Sequence, residues 1–159
     1  MDKISESRLA LVHPLLGEKV HKLAEMTLQE GVEIRVVQGL RSWNEQQSLY
    51  DQGRTRPGKI VTKCLPGHSW HNFGMAVDIA PDDTAKPLWQ PNWKSDHPVW
   101  KRLVVLAKTL GFICGAEFRT FPDNPHFQMT GRFPVNPTDE VRQLFKDGGT
   151  QAVWDESGL

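Results

Sequence analysis

Gly67-His68-Ser69-Trp70-His71-Asn72-Phe73-Gly74-Met75-Ala76-Val77-Asp78-Ile79-Ala80 is the stretch on which the architecture turns. From Gly74 to Ala80 it reads as a strand. Alternation puts Ala76, Asp78 and Ala80 on one face and Val77 and Ile79 on the other, so Asp78 can face a site while the branched residues enter a core. His71 stands just before the strand, and Gly74 between them permits a sharp turn or a close approach to a neighbour. Far downstream, Asp123-Asn124-Pro125-His126-Phe127 supplies a second histidine at the start of another short strand candidate, His126 to Met129. Two imidazoles and a carboxylate, His71, His126 and Asp78, suit a catalytic zinc with one coordination position left open. Asp123 lies in the turn before His126, its backbone restricted by Pro125, and is a candidate general base.

Working outward, Leu16, Val20 and Leu23 share a helical face, which predicts a helix from Pro14 to about Glu30 that stops before Gly31. Val32, Ile34 and Val36 alternate with polar neighbours and predict a strand. Ser42 and Glu45 form a capping-box pattern, so a helix through Tyr50 is expected. Residues 53 to 72 read as loop with one short strand near Lys59 to Thr62. Residues 81 to 97, rich in Pro and Trp, read as a long loop serving as lid or substrate wall. Asp96 is the expected cap of a helix carrying Val99, Leu103, Leu106 and Leu110 on one face, with Gly111 as its stop. Phe112 to Cys114 is a strand candidate, and Thr138 can cap a last helix through Lys146. The reading is an α+β domain over residues 1–147, with helices packed on a small, largely antiparallel sheet and the metal site on that sheet. Residues 148–159 are expected to form a loose tail from which Trp154 can dock on the body of the domain.

Lys plus Arg number 19, as do Asp plus Glu, so the formal net charge is zero, and no basic run points to nucleic acid. No apolar stretch is long enough to span a bilayer, and Met1 to Arg8 has no signal-peptide pattern. Synthesis in the cytoplasm without a signal peptide is the expectation, as is a monomer. The two cysteines, Cys64 and Cys114, are expected to be free thiols.

Each residue also has a bland reading. His13, His21 and His97 read as surface or structural histidines, and His68 as a possible substrate contact. Asp78 alone could cap a strand end, and Asp123 alone could shape a Pro-Asp-Asn-Pro turn. The combination raises the functional reading above these.

Ser69-Trp70-His71-Asn72-Phe73-Gly74-Met75-Ala76-Val77-Asp78 resembles the Ser-x-His-x-x-Gly-x-Ala-x-Asp signature of the VanY-like zinc D-Ala-D-Ala carboxypeptidase superfamily. Asp123-Asn124-Pro125-His126 resembles its second signature. Gly39-Leu40-Arg41-Ser42 resembles an upstream Gly-Tyr-Arg-Ser motif, with Leu40 in place of tyrosine. Phe112 to Glu117 departs from the Trp-Gly-Gly stretch common in the family. Within the superfamily the chain looks most like L-alanyl-D-glutamate endopeptidases, many of them phage endolysins. The resemblance implies that His71, Asp78 and His126 bind zinc and that Asp123 takes a proton from the attacking water. It implies that Arg41 stabilises the oxyanion and that Ser69 positions substrate. It further implies a peptidoglycan stem peptide as partner, cut between L-Ala and D-Glu, and release to the wall through a phage holin. Removal of terminal D-Ala by a carboxypeptidase, a silent wall-binding module, and a purely structural zinc are the alternatives.

Overall fold

Among the described residues, five α-helices pack around a four-stranded sheet in which Val77, Ile79 and Phe127 are fully buried. The computed structural model describes residues 1–83 and 88–159. Helix α1 (Lys3–Leu9) is capped by the Asp2 carboxylate, which accepts from the Ile4 and Ser5 amides. Helix α2 (Pro14–Gln29) follows, then strand β1 (Ile34–Gln38) and helix α3 (Trp43–Asp51). Strand β2 (Ala76–Pro81) leads to helix α4 (Pro98–Thr109), the two-residue strand β3 (Ile113–Cys114), strand β4 (His126–Gln128) and helix α5 (Asp139–Ser157). The sheet order is β1-β2-β4-β3, antiparallel throughout. This is the expected α+β architecture.

One sheet face carries Val36, Val77, Ile79 and Phe127 against Leu16, Val20 and Leu23 of α2 and Leu103 and Leu106 of α4. A second apolar cluster joins Trp70, Phe73 and Met75 to Phe133, Val141 and Val153. Helix α1, which periodicity did not single out, covers the outer edge of β1. There Ser5 Oγ accepts from the Val36 amide at 3.0 Å, and Arg8 donates to the Val36 carbonyl at 2.6 Å. An edge strand so covered has few backbone groups left for another chain.

The capping box at Ser42 and Glu45 is present, as is the Thr138 cap. Strand β1 begins two residues later than expected, because the Val32 amide donates to the Thr27 carbonyl and closes the end of α2 around Gly31. The cap of α4 is His97, not Asp96, since Pro98 takes the first helical position. Lys59 to Thr62 is not a strand. The Lys59 carbonyl accepts from the Gln52 side chain and the Thr62 carbonyl from the Arg54 side chain, instead of from a ladder partner.

The tail is not loose. Helix α5 kinks at Gly148 and Gly149, the latter at φ 69°, and resumes to Ser157. Glycine supplies the break, and the re-aimed second half buries Val153 and Ser157 completely. The Trp154 indole donates to the Phe73 carbonyl at 2.7 Å, the docking expected of that residue. Trp154→Ala should lower unfolding free energy by about 3 kcal/mol, the low end for a large aromatic because the ring is half-buried. A shift in the urea midpoint at constant slope checks this.

His13 caps α2 by accepting from the Leu15 amide at 3.1 Å, with its ring edge-on to Trp154. Burial holds its pKa below the ordinary 6.5. Folding therefore favours the neutral ring. Its contribution is complete above pH 6.5 and declines as pH falls through 6.5 toward the lower folded value, where the unfolded chain binds more protons. His13→Asn keeps a capping side chain that does not titrate. The stability gap between wild type and this variant should narrow or reverse between pH 8 and pH 5, read by urea unfolding.

Candidate metal centre

The sheet register brings the site together. Asp78 on β2 lies directly opposite His126 on β4, Val77 opposite Phe127, and Ala76 opposite Gln128. Opposed residues share a face, so Asp78, His126 and Gln128 all leave the core side. A one-residue slip would bury the two ligand candidates among Val77 and Phe127. His71 enters from a single 3-10 turn, Trp70–Phe73, ended by Gly74 at φ 65°. A Cβ on Gly74 would lie 3.0 Å from the Trp154 ring and 3.1 Å from the Leu11 carbonyl. Both the turn and the close approach expected of this glycine are therefore realised.

His71 Nε2 lies 3.1 Å from Asp78 Oδ1 and 3.2 Å from His126 Nδ1, and His126 Nδ1 lies 3.5 Å from Asp78 Oδ1. These three groups converge within 4.8 Å of one another. Each ring turns its other nitrogen to a separate partner: His71 Nδ1 to the Gly39 carbonyl at 2.9 Å, and His126 Nε2 to Gln128 Oε1 at 2.8 Å. Two buried imidazoles aimed at one carboxylate oxygen, each held from behind, form a donor set that fits a zinc ion. Burial alone would raise the pKa of Asp78, but His71 and His126 beside it outweigh that and hold its carboxyl well below the usual carboxylate range.

Asp123 is half-buried in the segment between β3 and β4, its amide donating to the Gly115 carbonyl at 2.9 Å. Burial, and then the Asp78 charge, raise its pKa against the pull of His126, His71 and Arg41. A carboxylate so raised is a better proton acceptor at neutral pH. Gly115 makes this position possible, since a Cβ there would lie 2.6 Å from the Asp123 carbonyl and 2.7 Å from His126 Cβ. Nothing in the sequence beyond the glycine itself pointed to that close approach.

Arg41 follows β1. Its amide donates to the His71 carbonyl at 3.0 Å, and Nη2 lies 3.6 Å from Asp78 Oδ2. Its Nη1 donates to Gln46 Oε1 at 3.0 Å. Ser69 opens the 3-10 turn without capping it by its side chain. All six predicted site residues, with His68, line one cavity of about 570 Å³.

The cavity walls differ from expectation. Val61 to Cys64, Phe118 to Phe121 and Val135 to Pro137 form them, and none was expected to wall a site. Of residues 81–97, expected as lid or wall, none of those described lines the cavity, and 84–87 lie outside the described residues. Lys63 Nζ sits 5.1 Å from the Phe121 ring centre and links two walls. Cys64 and Cys114 are both free thiols, Cys64 in the cavity wall and Cys114 buried. Among the described residues, no helix is long and apolar enough to cross a membrane.

A family model described as D-alanyl-D-alanine carboxypeptidase matches residues 65–129. The peptidoglycan L-alanyl-D-glutamate endopeptidase CwlK of Bacillus subtilis (strain 168) is 37% identical over 125 residues, covering 74% of this chain and 73% of that protein. An L-alanyl-D-glutamate peptidase of Listeria phage A118 is 27% identical over 108 residues, which are 68% of this chain but 34% of the phage protein. In structure, the L-Ala D-Glu endopeptidase ChiX of Serratia marcescens superposes with a TM-score of 0.59 at 28% identity, covering 94% of this chain and 92% of that one.

Proposed function

The chain belongs to the D-alanyl-D-alanine carboxypeptidase family of VanY-like peptidases, alongside L-alanyl-D-glutamate endopeptidases, and from that premise we propose that it is a zinc-dependent hydrolase cutting the L-Ala–D-Glu bond of the peptidoglycan stem peptide. The observation that carries the reading is the convergence of His71 Nε2, Asp78 Oδ1 and His126 Nδ1 on one point in an open cavity that Asp123 and Arg41 also line.

His71, Asp78 and His126 would hold the zinc, whose contribution when bound is Lewis acidity toward the scissile carbonyl and toward water. Asp123 accepts a proton as water adds to the L-Ala carbonyl carbon. Arg41 faces the oxygen on which negative charge grows, and its guanidinium is permanently charged and held in direction by Gln46. When the C–N bond breaks, Asp123 returns its proton to the departing D-Glu nitrogen. The products are an L-Ala carboxylate and a D-Glu amine. Ser69, at the mouth of the turn, orients the peptide. The three cations among the lining residues, Arg41, Lys63 and Arg119, suit a substrate rich in carboxylates. A lytic role for a phage, with holin-dependent release to the wall, is the biological setting we infer, supported by the likeness to the Listeria phage peptidase.

Digestion of purified peptidoglycan, with and without a chelator, tests the reading by mass spectrometry of the fragments. New L-Ala carboxyl ends and D-Glu amino ends that vanish with chelator are the expected result. Release of terminal D-Ala alone would move the activity to a carboxypeptidase. No chelator-sensitive product from any wall type would leave a binding module.

A further inference from the structure

The Val135 carbonyl accepts two hydrogen bonds, from Trp70 Nε1 at 2.7 Å and from Gln128 Nε2 at 2.8 Å. A carbonyl can only accept, so the nitrogen end of the Gln128 amide must face it. The oxygen end is then the atom lying 2.8 Å from His126 Nε2. That oxygen can only accept in turn, so His126 Nε2 must carry a hydrogen, and in the neutral ring Nδ1 keeps the lone pair. Nδ1 is the atom turned toward His71 and Asp78. A chain of two hydrogen bonds therefore sets which His126 nitrogen is available as a ligand.

Gln128 is 2% exposed and sits on the same strand face as His126, two residues on. His71 has its back nitrogen held by the main-chain carbonyl of Gly39, which no substitution removes. His126 depends on a side chain. The same side chain grips Val135, whose segment through Pro137 forms a cavity wall.

We propose that Gln128 is a positioning residue that fixes the His126 tautomer for metal binding and ties the Val135–Pro137 wall to the metal centre. This rests on the reading of His126 as a zinc ligand.

Zinc affinity, measured by chelator competition on the full chain, is the test, and it needs no turnover. Gln128→Leu removes both bonds and should weaken zinc binding by about 10–100-fold. Gln128→Glu keeps an acceptor for His126 Nε2 while losing the donor to Val135, and its zinc affinity should stay near that of wild type. Unfolding curves of both variants are recorded alongside, and if the leucine variant does not fold, Gln128→Met, which also removes both bonds but has a more adaptable side chain, takes its place. Undiminished affinity in a folded Gln128→Leu would overturn the proposal. So would a folded Gln128→Glu protein whose zinc affinity falls by the same roughly 10–100-fold, because an acceptor for His126 Nε2 would then not be what zinc binding needs. A wild-type chain that binds no zinc would remove the reading of the triad itself, an outcome distinct from either variant result.

Discussion

His126→Ala is expected to abolish zinc binding and peptidoglycan hydrolysis together. Its Nδ1 is one of three atoms that meet at the centre, 3.2 Å from His71 Nε2 and 3.5 Å from Asp78 Oδ1. Losing one of three protein ligands should cost more zinc affinity than the about 10–100-fold attached to an outer hydrogen-bond partner. Hydrolysis should fall to background even with added zinc in modest excess. The substitution also strands Gln128 Oε1 in a buried place, at a cost of roughly 1–3 kcal/mol, so a lower unfolding midpoint is expected as well. Metal content by atomic emission, chelator competition and a wall-turbidity assay on the same preparation separate these effects. A variant that retained stoichiometric zinc at wild-type affinity would show that His126 is not a ligand.

Asp123→Ala is expected to keep its zinc and lose about 10²–10⁴-fold in kcat, equivalent to about 3–5 kcal/mol of transition-state stabilisation. Asp123 stands outside the group of three that converges, yet it lines the same cavity. Its loss removes a proton acceptor and leaves the metal's protein ligands intact. Stability should hold or rise. Burial and the Asp78 charge both disfavour an anion at this position, so the folded chain is relieved when the carboxylate goes. Zinc titration, steady-state kinetics and thermal unfolding on one variant give three independent readings. If zinc were lost together with activity, the base and ligand roles of Asp123 and Asp78 would have to be exchanged.

Several features were legible because they are written in near neighbours. The alternation of Val77, Asp78 and Ile79 gave a strand with one face for a core, and both branched residues are fully buried. Ser42 and Glu45, three apart, gave a capping box. Gly74 gave a turn, and its positive φ is the reason. Where neighbours mislead, tertiary partners had intervened. Lys59 to Thr62 has strand-like composition, yet side chains of Gln52 and Arg54 take the carbonyls at its two ends. The Gly148-Gly149 pair resembles the end of a structured region, and the apolar surface around Phe73 and Trp70, with Arg132 and His13 beside it, gives the following residues something to pack on.

By itself, then, the amino-acid order determined which groups this protein has to offer a metal and a peptide, because side-chain chemistry and short-range backbone preference need no distant partner. The tertiary structure alone decided that Asp78 stands opposite His126, that Gln128 holds the His126 ring, and that Phe118–Phe121 and Val135–Pro137 wall the cavity. His71 and His126 are 55 residues apart and Trp70 and Val135 are 65 apart, so their meeting follows from strand register and core burial, which are properties of the whole folded chain.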